Sequence, residues 1–307
     1  MKKICAALVC FGCFALAAHA TSVAAQSRDN ALFSAAETAK PAVIETLREL
    51  VLIESGSGNV LGLIRVAEYA EARLKLLGAA TERIEFINGD RLMVKGVFNG
   101  SGTLKLLLLA HMDTVYFEGI LATQSIHIEG NKMFGPGIAD AKGGVAVILH
   151  SLAILRDVGW KDFAQITVLF NPDEEVGSIG SGETIAKLGE THDVVLSYEP
   201  TSARAVAKEE CVLLGAAGTA TVTLKVKGKA SLAGTAPEQG RNALIELSHQ
   251  LLATHDIAKA IPGAQLSWTY SQGGLVRNQM PERAYATADV RLLAPAATEK
   301  LRAALEA

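Results

Sequence analysis

Leu-Lys-Leu-Leu-Leu-Leu-Ala-His-Met-Asp, residues 104–113, decides how the rest of the chain is read. A continuous apolar run of this length is the pattern of a strand buried on both faces, and such strands belong to parallel sheets. It delivers His111 and Asp113 just beyond its carboxyl end, where open α/β sheets build their sites. Working outward, the same design recurs. The run 166–170 leads to Glu174 and Glu175, the run 194–197 leads to Glu199, and a Gly-rich turn carries Asp140 ahead of Lys142-Gly143-Gly144. One His and several carboxylates brought to one sheet edge suit a hydrolytic zinc centre.

Helical apolar spacing over 41–53, 64–77 and 143–158 alternates with these strand-length runs. Pro41 suits a first helical turn, where its missing N–H costs nothing. The expectation for 26–209 is therefore an α/β domain, a mostly parallel sheet covered by helices. Near Gly215 the pattern changes. A strand over 220–226, a helix over 242–254, strands over 265–271 and 283–292 and a helix from 297 make most of a split βαβ unit. That predicts a smaller α+β domain of ferredoxin-like type over 210–307, with its last strand missing. The chain stops inside an amphipathic helix without a C-cap signal, which reads as a truncated sequence.

Residues 1–25 read as a secretory signal. Lys2 and Lys3 form its positive end, and the apolar stretch 4–18 is short for a membrane span. Small-x-small cleavage sites end at Ala20 and Ala25; Ala25 is favoured because Gln26-Ser27-Arg28-Asp29 opens a polar segment. A lipoprotein anchor at Cys13 is the weaker alternative, since Val-Cys-Phe-Gly-Cys lacks a Leu at the third position before the cysteine. The mature chain is expected to be secreted or periplasmic. Cys211 is then its one thiol, so no internal disulfide forms. Losing Lys2 and Lys3 takes the formal charge from −3 to −5. A mildly acidic chain without basic clusters suits neither nucleic acid nor an anionic membrane.

Taken singly, the candidate residues have ordinary explanations. Asp140 precedes a helix, where carboxylates commonly cap, and Glu174-Glu175 reads as a solvated loop. Together they fall on one expected sheet edge, and their chemistry divides into roles. Asp113, two residues after His111, can fix the ring's tautomer. Of Glu174 and Glu175, one can bind metal while the other activates water. Spacing alone supports a single metal ion.

His-Met-Asp-Thr-Val-Tyr (111–116), Gly-Pro-Gly-Ile-Ala-Asp-Ala-Lys-Gly-Gly (135–144), Asn-Pro-Asp-Glu-Glu-Val-Gly-Ser (171–178) and Ser-Tyr-Glu-Pro-Thr-Ser (197–202) resemble the co-catalytic zinc exopeptidases of the aminoacylase/carboxypeptidase family. Within it, they look most like the secreted bacterial glutamate carboxypeptidases of the folate-hydrolysing type. The likeness runs from about Gln26 to the last residue. It implies a zinc-exopeptidase catalytic domain with a lid, two zinc ions per subunit and a homodimer formed through the lid. It implies that His111 binds one zinc, Asp140 bridges both, Glu199 completes the His111 zinc and Glu175 binds the second. Glu174 would be the general base and Asp113 would orient His111. In the second domain Asn278 and Arg291 match positions that hold the substrate carboxylate, a task for which a guanidinium is well shaped. The implied reaction is release of a C-terminal amino acid, glutamate in the first instance, from N-acyl or peptide substrates. Aminoacylase or dipeptidase activity is the alternative within the family.

Three departures bear on activity. No His follows His255, so the late His that the family supplies to the second zinc is lacking and only one zinc is expected to be fully ligated. Lys-Ala-Ser-Leu-Ala-Gly (229–234) places Leu232 where the family has a His that stabilises the oxyanion from the partner subunit. Losing one such donor typically costs on the order of 10²–10³ in turnover. Residues 203–214 match the substrate-contacting stretch of the glutamate carboxypeptidases poorly. A catalytically impaired chain holding at most one zinc is therefore the rival expectation.

Overall fold

A computed structural model describes residues 29–86, 91–200, 212–213 and 216–307. The expected signal and its Cys13, Cys211 and most of the 203–214 stretch lie outside the described residues. The chain divides into two compact units after Pro200. The boundary expected at 209/210 falls among residues outside the description.

The first unit is built on a five-stranded sheet. Its strands are β1 (Ala80–Glu85), β2 (Leu92–Asn99), β3 (Lys105–His111), β6 (Gln165–Asn171) and β7 (Val194–Ser197), in the order β1-β2-β6-β3-β7. β6, β3 and β7 pair in parallel, while β2 runs antiparallel to both β1 and β6. All strands but β2 therefore point the same way. β3 and β6 are the buried apolar runs of the sequence, with Leu107, Val168, Leu169 and Phe170 sealed from solvent. The small antiparallel pair β4 (His127–Glu129) and β5 (Lys132–Phe134) stands apart from this sheet.

Helices α1 (Asn30–Val51), α2 (Val60–Leu76) and α3 (Gly143–Asp157) pack on one face. There Leu50, Leu63, Val66, Leu74, Val145, Ile148 and Leu149 meet Val94, Leu108, Ile166 and Phe170. The short α4 (Gly182–Glu190) covers part of the other face through Ile185 and Leu188, against Met93, Leu107 and Leu169. α1 begins earlier than its spacing predicts, and Pro41 lies inside the helix rather than in its first turn. The reason is local. The Asp29 carboxylate accepts the N–H groups of Ala31 and Leu32, satisfying donors that a helix start leaves free. Pro41 then removes only one hydrogen bond from a half that is largely exposed.

The second unit has a three-stranded antiparallel sheet, β10 (Ala264–Gly273), β12 (Arg283–Leu292) and β8 (Gly218–Lys227), in that order. β8 and β10 both run against β12, so they are parallel to each other with β12 between them, which is a split βαβ unit. Helices α5 (Ala243–Thr254) and α6 (Pro295–Glu306) cover one face, burying Ala284, Ala286, Ala288, Val290 and Leu292 of β12. A two-stranded pair, β9 (Ser231–Leu232) with β11 (Gln279–Met280), lies at the Lys227 end.

Candidate metal centre

Register places the candidate ligands. His111 pairs with Asn171 and Leu109 pairs with Ser197, so the residues after β6 and β7 leave the sheet at the level of His111. Met112 N–H donates to Asn171 O and Tyr198 N–H donates to Leu109 O, extending the parallel ladders past the strand ends. The turn Ile138–Lys142 then brings Asp140, joined to Ala141 by a cis peptide bond, in front of the same edge.

Asp140, Glu199 and His111 offer ligand atoms that all lie within 4.8 Å of one another. His111 Nε2 is 2.9 Å from Asp140 Oδ1, 3.5 Å from Glu199 Oε2 and 4.0 Å from Glu174 Oε2. Tetrahedral zinc with bonds of about 2 Å spaces its donors about 3.3 Å apart. The two shorter distances bracket that value, so one imidazole and two carboxylates fit one ion. The ring is buried, whereas Asp140, Glu174 and Glu199 are open on the outer side. Glu175 stays outside the three-donor group, and no second such group occurs among the described residues.

Asp113 is fully buried and contacts both the ring and the loop of the two glutamates. His111 Nδ1 faces its backbone carbonyl at 3.0 Å and its Oδ1 at 3.3 Å. Oδ1 also accepts the Glu174 N–H, and Oδ2 accepts the Glu175 N–H, each at 3.1 Å. One carboxylate therefore ties the His111 strand end to the loop of the two glutamates. Asp173 braces the far side of that loop, accepting the N–H groups of Gly180 and Ser181 and the Ser181 hydroxyl.

The electrostatics follow from crowding four carboxylates around one ring. Burial acts to lower the pKa of His111, but Asp113 and Glu199 overcome it and push it up to about 11. Burial acts to raise Asp113, yet His111 and the Ser57 hydroxyl hold its carboxyl below the usual range. Glu174 is raised by burial and by the negative Glu199, Asp113 and Asp140, with His111 opposing. Glu175 is pushed up to about 7 by burial and by Asp140. Without an ion, the ring carries a proton where the ion's charge would sit.

Two residues quoted in the motifs but given no role take one from the structure. Lys142 is 1% exposed, and its Nζ donates to Leu50 O and Ile53 O at the end of α1. Burial pushes its pKa down to about 7. It anchors the turn that carries Asp140. A Cβ on Gly144 would lie 2.2 Å from Tyr198 O, so this glycine lets α3 approach the backbone next to Glu199. A Gly-Gly pair at a helix start was the available signal.

Asn278 and Arg291 belong to the second unit. Arg291 is bound bidentately by Asp289 on the same strand, Nε to Oδ1 at 2.8 Å and Nη2 to Oδ2 at 2.9 Å. Asn278 precedes β11, at the Arg283 end of β12, and its carbonyl accepts the Ala233 N–H. Arg291 is near the opposite end of β12, on the order of 25 Å away at roughly 3.4 Å per residue. The two thus lie toward opposite ends of β12. Leu232 lies exposed on β9.

A sheet edge that gathers one histidine and several carboxylates around room for an ion defines a metal-centred α/β protein. Residues 107–303 match Peptidase family M20/M25/M40, and the chain belongs to that family. It is 47% identical over 270 residues to carboxypeptidase G2 of Pseudomonas sp. (strain RS-16), covering 87% of this chain and 64% of that protein. It is 29% identical over 267 residues to an acetylornithine deacetylase of Proteus mirabilis (strain HI4320), covering 78% of this chain and 64% of that protein. The chain thus spans slightly under two thirds of the length of these relatives. The crystal structure of an M20 family metallo-carboxypeptidase from Sulfolobus solfataricus shares the fold, with a TM-score of 0.69 at 17% identity over 86% of this chain and 75% of that one.

Proposed function

We propose that this chain is a zinc-dependent amide hydrolase that releases a C-terminal amino acid, glutamate in the first instance, from N-acyl or peptide substrates. The observation that carries the reading is the convergence of His111, Asp140 and Glu199 around one ion-sized space with Glu174 beside it. Likeness to a carboxypeptidase over most of this chain supports the choice of bond.

His111, Asp140 and Glu199 would hold the ion. A bound zinc lowers the pKa of water to about 7 and polarises the amide carbonyl. Glu174 has the position and the raised proton affinity of a general base, which takes a proton from the attacking water and returns it to the departing amine. Asp113 keeps Nδ1 of His111 engaged, so that Nε2 is the nitrogen presented to the ion. The chain's own residues complete one ion site. The resemblance puts Leu232 where the family has an oxyanion donor, and a leucine donates no hydrogen bond, so turnover is expected to be low.

A second reading within the family, aminoacylase or dipeptidase, draws on the 29% identity to an acetylornithine deacetylase. Zinc content by elemental analysis, together with glutamate release across N-acyl amino acids and dipeptides, tests both. One zinc per chain with preferential glutamate release is expected. Zinc-free protein, or activity indifferent to a chelator, would overturn the metal reading. Preferential cleavage of non-glutamyl substrates would select the second.

A further inference from the structure

The segment Ser55-Gly56-Ser57 follows α1 and belongs to none of the four motifs. It runs beside the extension of β3 as a short parallel bridge, Gly56 against Thr114. Thr114 N–H donates to Ser55 O, Ser57 N–H donates to Thr114 O, and the Ser55 hydroxyl donates to Met112 O at 2.7 Å. The approach is so close that a Cβ on Gly56 would lie 1.8 Å from Tyr116 O, so only glycine fits. The bridge delivers the Ser57 hydroxyl to Asp113 Oδ2 at 2.8 Å. From the other side Arg91 Nη2 donates to Ser57 O at 2.9 Å and holds the serine in place.

Around Asp113 the acceptor sites are then filled. Oδ1 faces His111 Nδ1 and the Glu174 N–H; Oδ2 takes the Glu175 N–H and the Ser57 hydroxyl. An ionised carboxylate offers about four such sites. Ser57 is the one donor of the four that comes from neither the ligand strand nor the glutamate loop. Without it Oδ2 keeps one donor, and rotation of the carboxylate toward solvent or a new partner is opposed only by the groups it is meant to hold.

We propose that Ser57 is a positioning residue of this centre, whose hydroxyl locks Asp113 in the one orientation that engages His111 and the amides of Glu174 and Glu175 together. Its consequence for zinc rests on the metal reading above; its consequence for the glutamate loop does not. Loss of a group that directly orients a metal ligand typically weakens metal binding about 10–100-fold; Ser57 acts one step further out, through Asp113, so its loss falls at the low end of that range.

The test uses the full chain as wild type, S57A and S57T. Zinc affinity by chelator competition is expected to fall by about 10-fold in S57A and to return most of the way in S57T, which keeps the hydroxyl. In the metal-free protein, hydrogen exchange at the Glu174 and Glu175 amides is expected to quicken in S57A relative to amides of the sheet core. If S57A does not fold, S57C, whose thiol is a weak donor in the same place, takes its part against S57T. Zinc affinity in S57A equal to wild type, or unchanged exchange at both amides, would overturn the proposal. A wild-type chain that binds no zinc refutes the metal reading instead, and the amide exchange then decides the role of Ser57 alone.

Discussion

Replacing Gly144 by Ala puts a methyl group 2.2 Å from Tyr198 O and 2.9 Å from Tyr198 Cβ. Both neighbours are close to the main chain, so no flexible side-chain tip can swing away. Ordinary contact requires about 3.4 Å, so the helix start and the Tyr198 peptide must part by roughly 1 Å. Tyr198 N–H is bonded to Leu109 O, which resists motion on one side, and the free direction carries Glu199 with it. Overpacking of this kind costs about 1–3 kcal/mol, offset by about 1 kcal/mol because Ala is the better helix former. The net, at most about 2 kcal/mol, lowers Tm by no more than about 8 °C for a unit of this size. Zinc binding should suffer far more, because metal–ligand distances tolerate only about 0.2 Å. With Glu199 pushed off its position but not removed, zinc affinity should drop on the order of 10–100-fold, as it does when a group that orients a ligand is lost. Chelator competition and thermal melts on G144A measure the two effects. G182A is the control, since a Cβ there meets nothing within 4 Å. Wild-type zinc affinity in G144A would refute the reasoning, because it would mean that Glu199 is not held through this contact.

The other expectations concern charge. Glu174→Gln should bind zinc as wild type does while losing turnover on an N-acyl-glutamate; undiminished turnover would remove Glu174 from the role of base. With its pKa at about 11, the ring of His111 is protonated in the metal-free protein across the neutral range. An ion must displace that proton, so zinc affinity should climb as pH rises from 6 to 9, about tenfold per unit per proton released. Calorimetry in buffers of different ionisation enthalpy counts the protons, and a pH-independent affinity would contradict the shift. Lys142→Met leaves Ile53 O without its partner, at about 1–3 kcal/mol for a buried carbonyl, while Leu50 O keeps the Ile53 N–H, and should lower Tm. The lysine's pKa falls from 10.5 unfolded to about 7 folded. The unfolded chain therefore holds more protons in that window, and this group's contribution to wild-type stability grows as pH rises through it. Melts of K142M should lack that rise; an unchanged pH slope would argue against the buried amine.

How much could be read beforehand depends on whether a residue's neighbours are close in the chain. β3 and β6 were legible because a strand buried on both faces must be apolar throughout; β7 is apolar as well, although it lies exposed at the edge of the sheet. The residues that follow such strands must emerge at a common edge if the strands are parallel. β2 was not legible as the one opposed strand, because the apolar content of a strand says nothing of its direction. Pro41 misled because a capping carboxylate at Asp29 starts α1 upstream of it. Arg291 matches, in the sequence, a position that holds a substrate carboxylate; the structure shows its guanidinium paired with Asp289, two residues back on the same face of β12.

The sequence by itself determined the class of the protein, the strands that carry the site and the identity of the residues brought to its edge. Periodicity and ligand chemistry are both local properties of a chain. Tertiary structure alone decided that Asp113 clamps two backbone amides across the sheet, that Lys142 is sealed against the end of α1, and that Gly144 and Gly56 permit contacts no side chain would allow. Each of these joins segments far apart in the chain. A hydrogen bond or a steric limit of that kind exists only once packing has brought its two ends together.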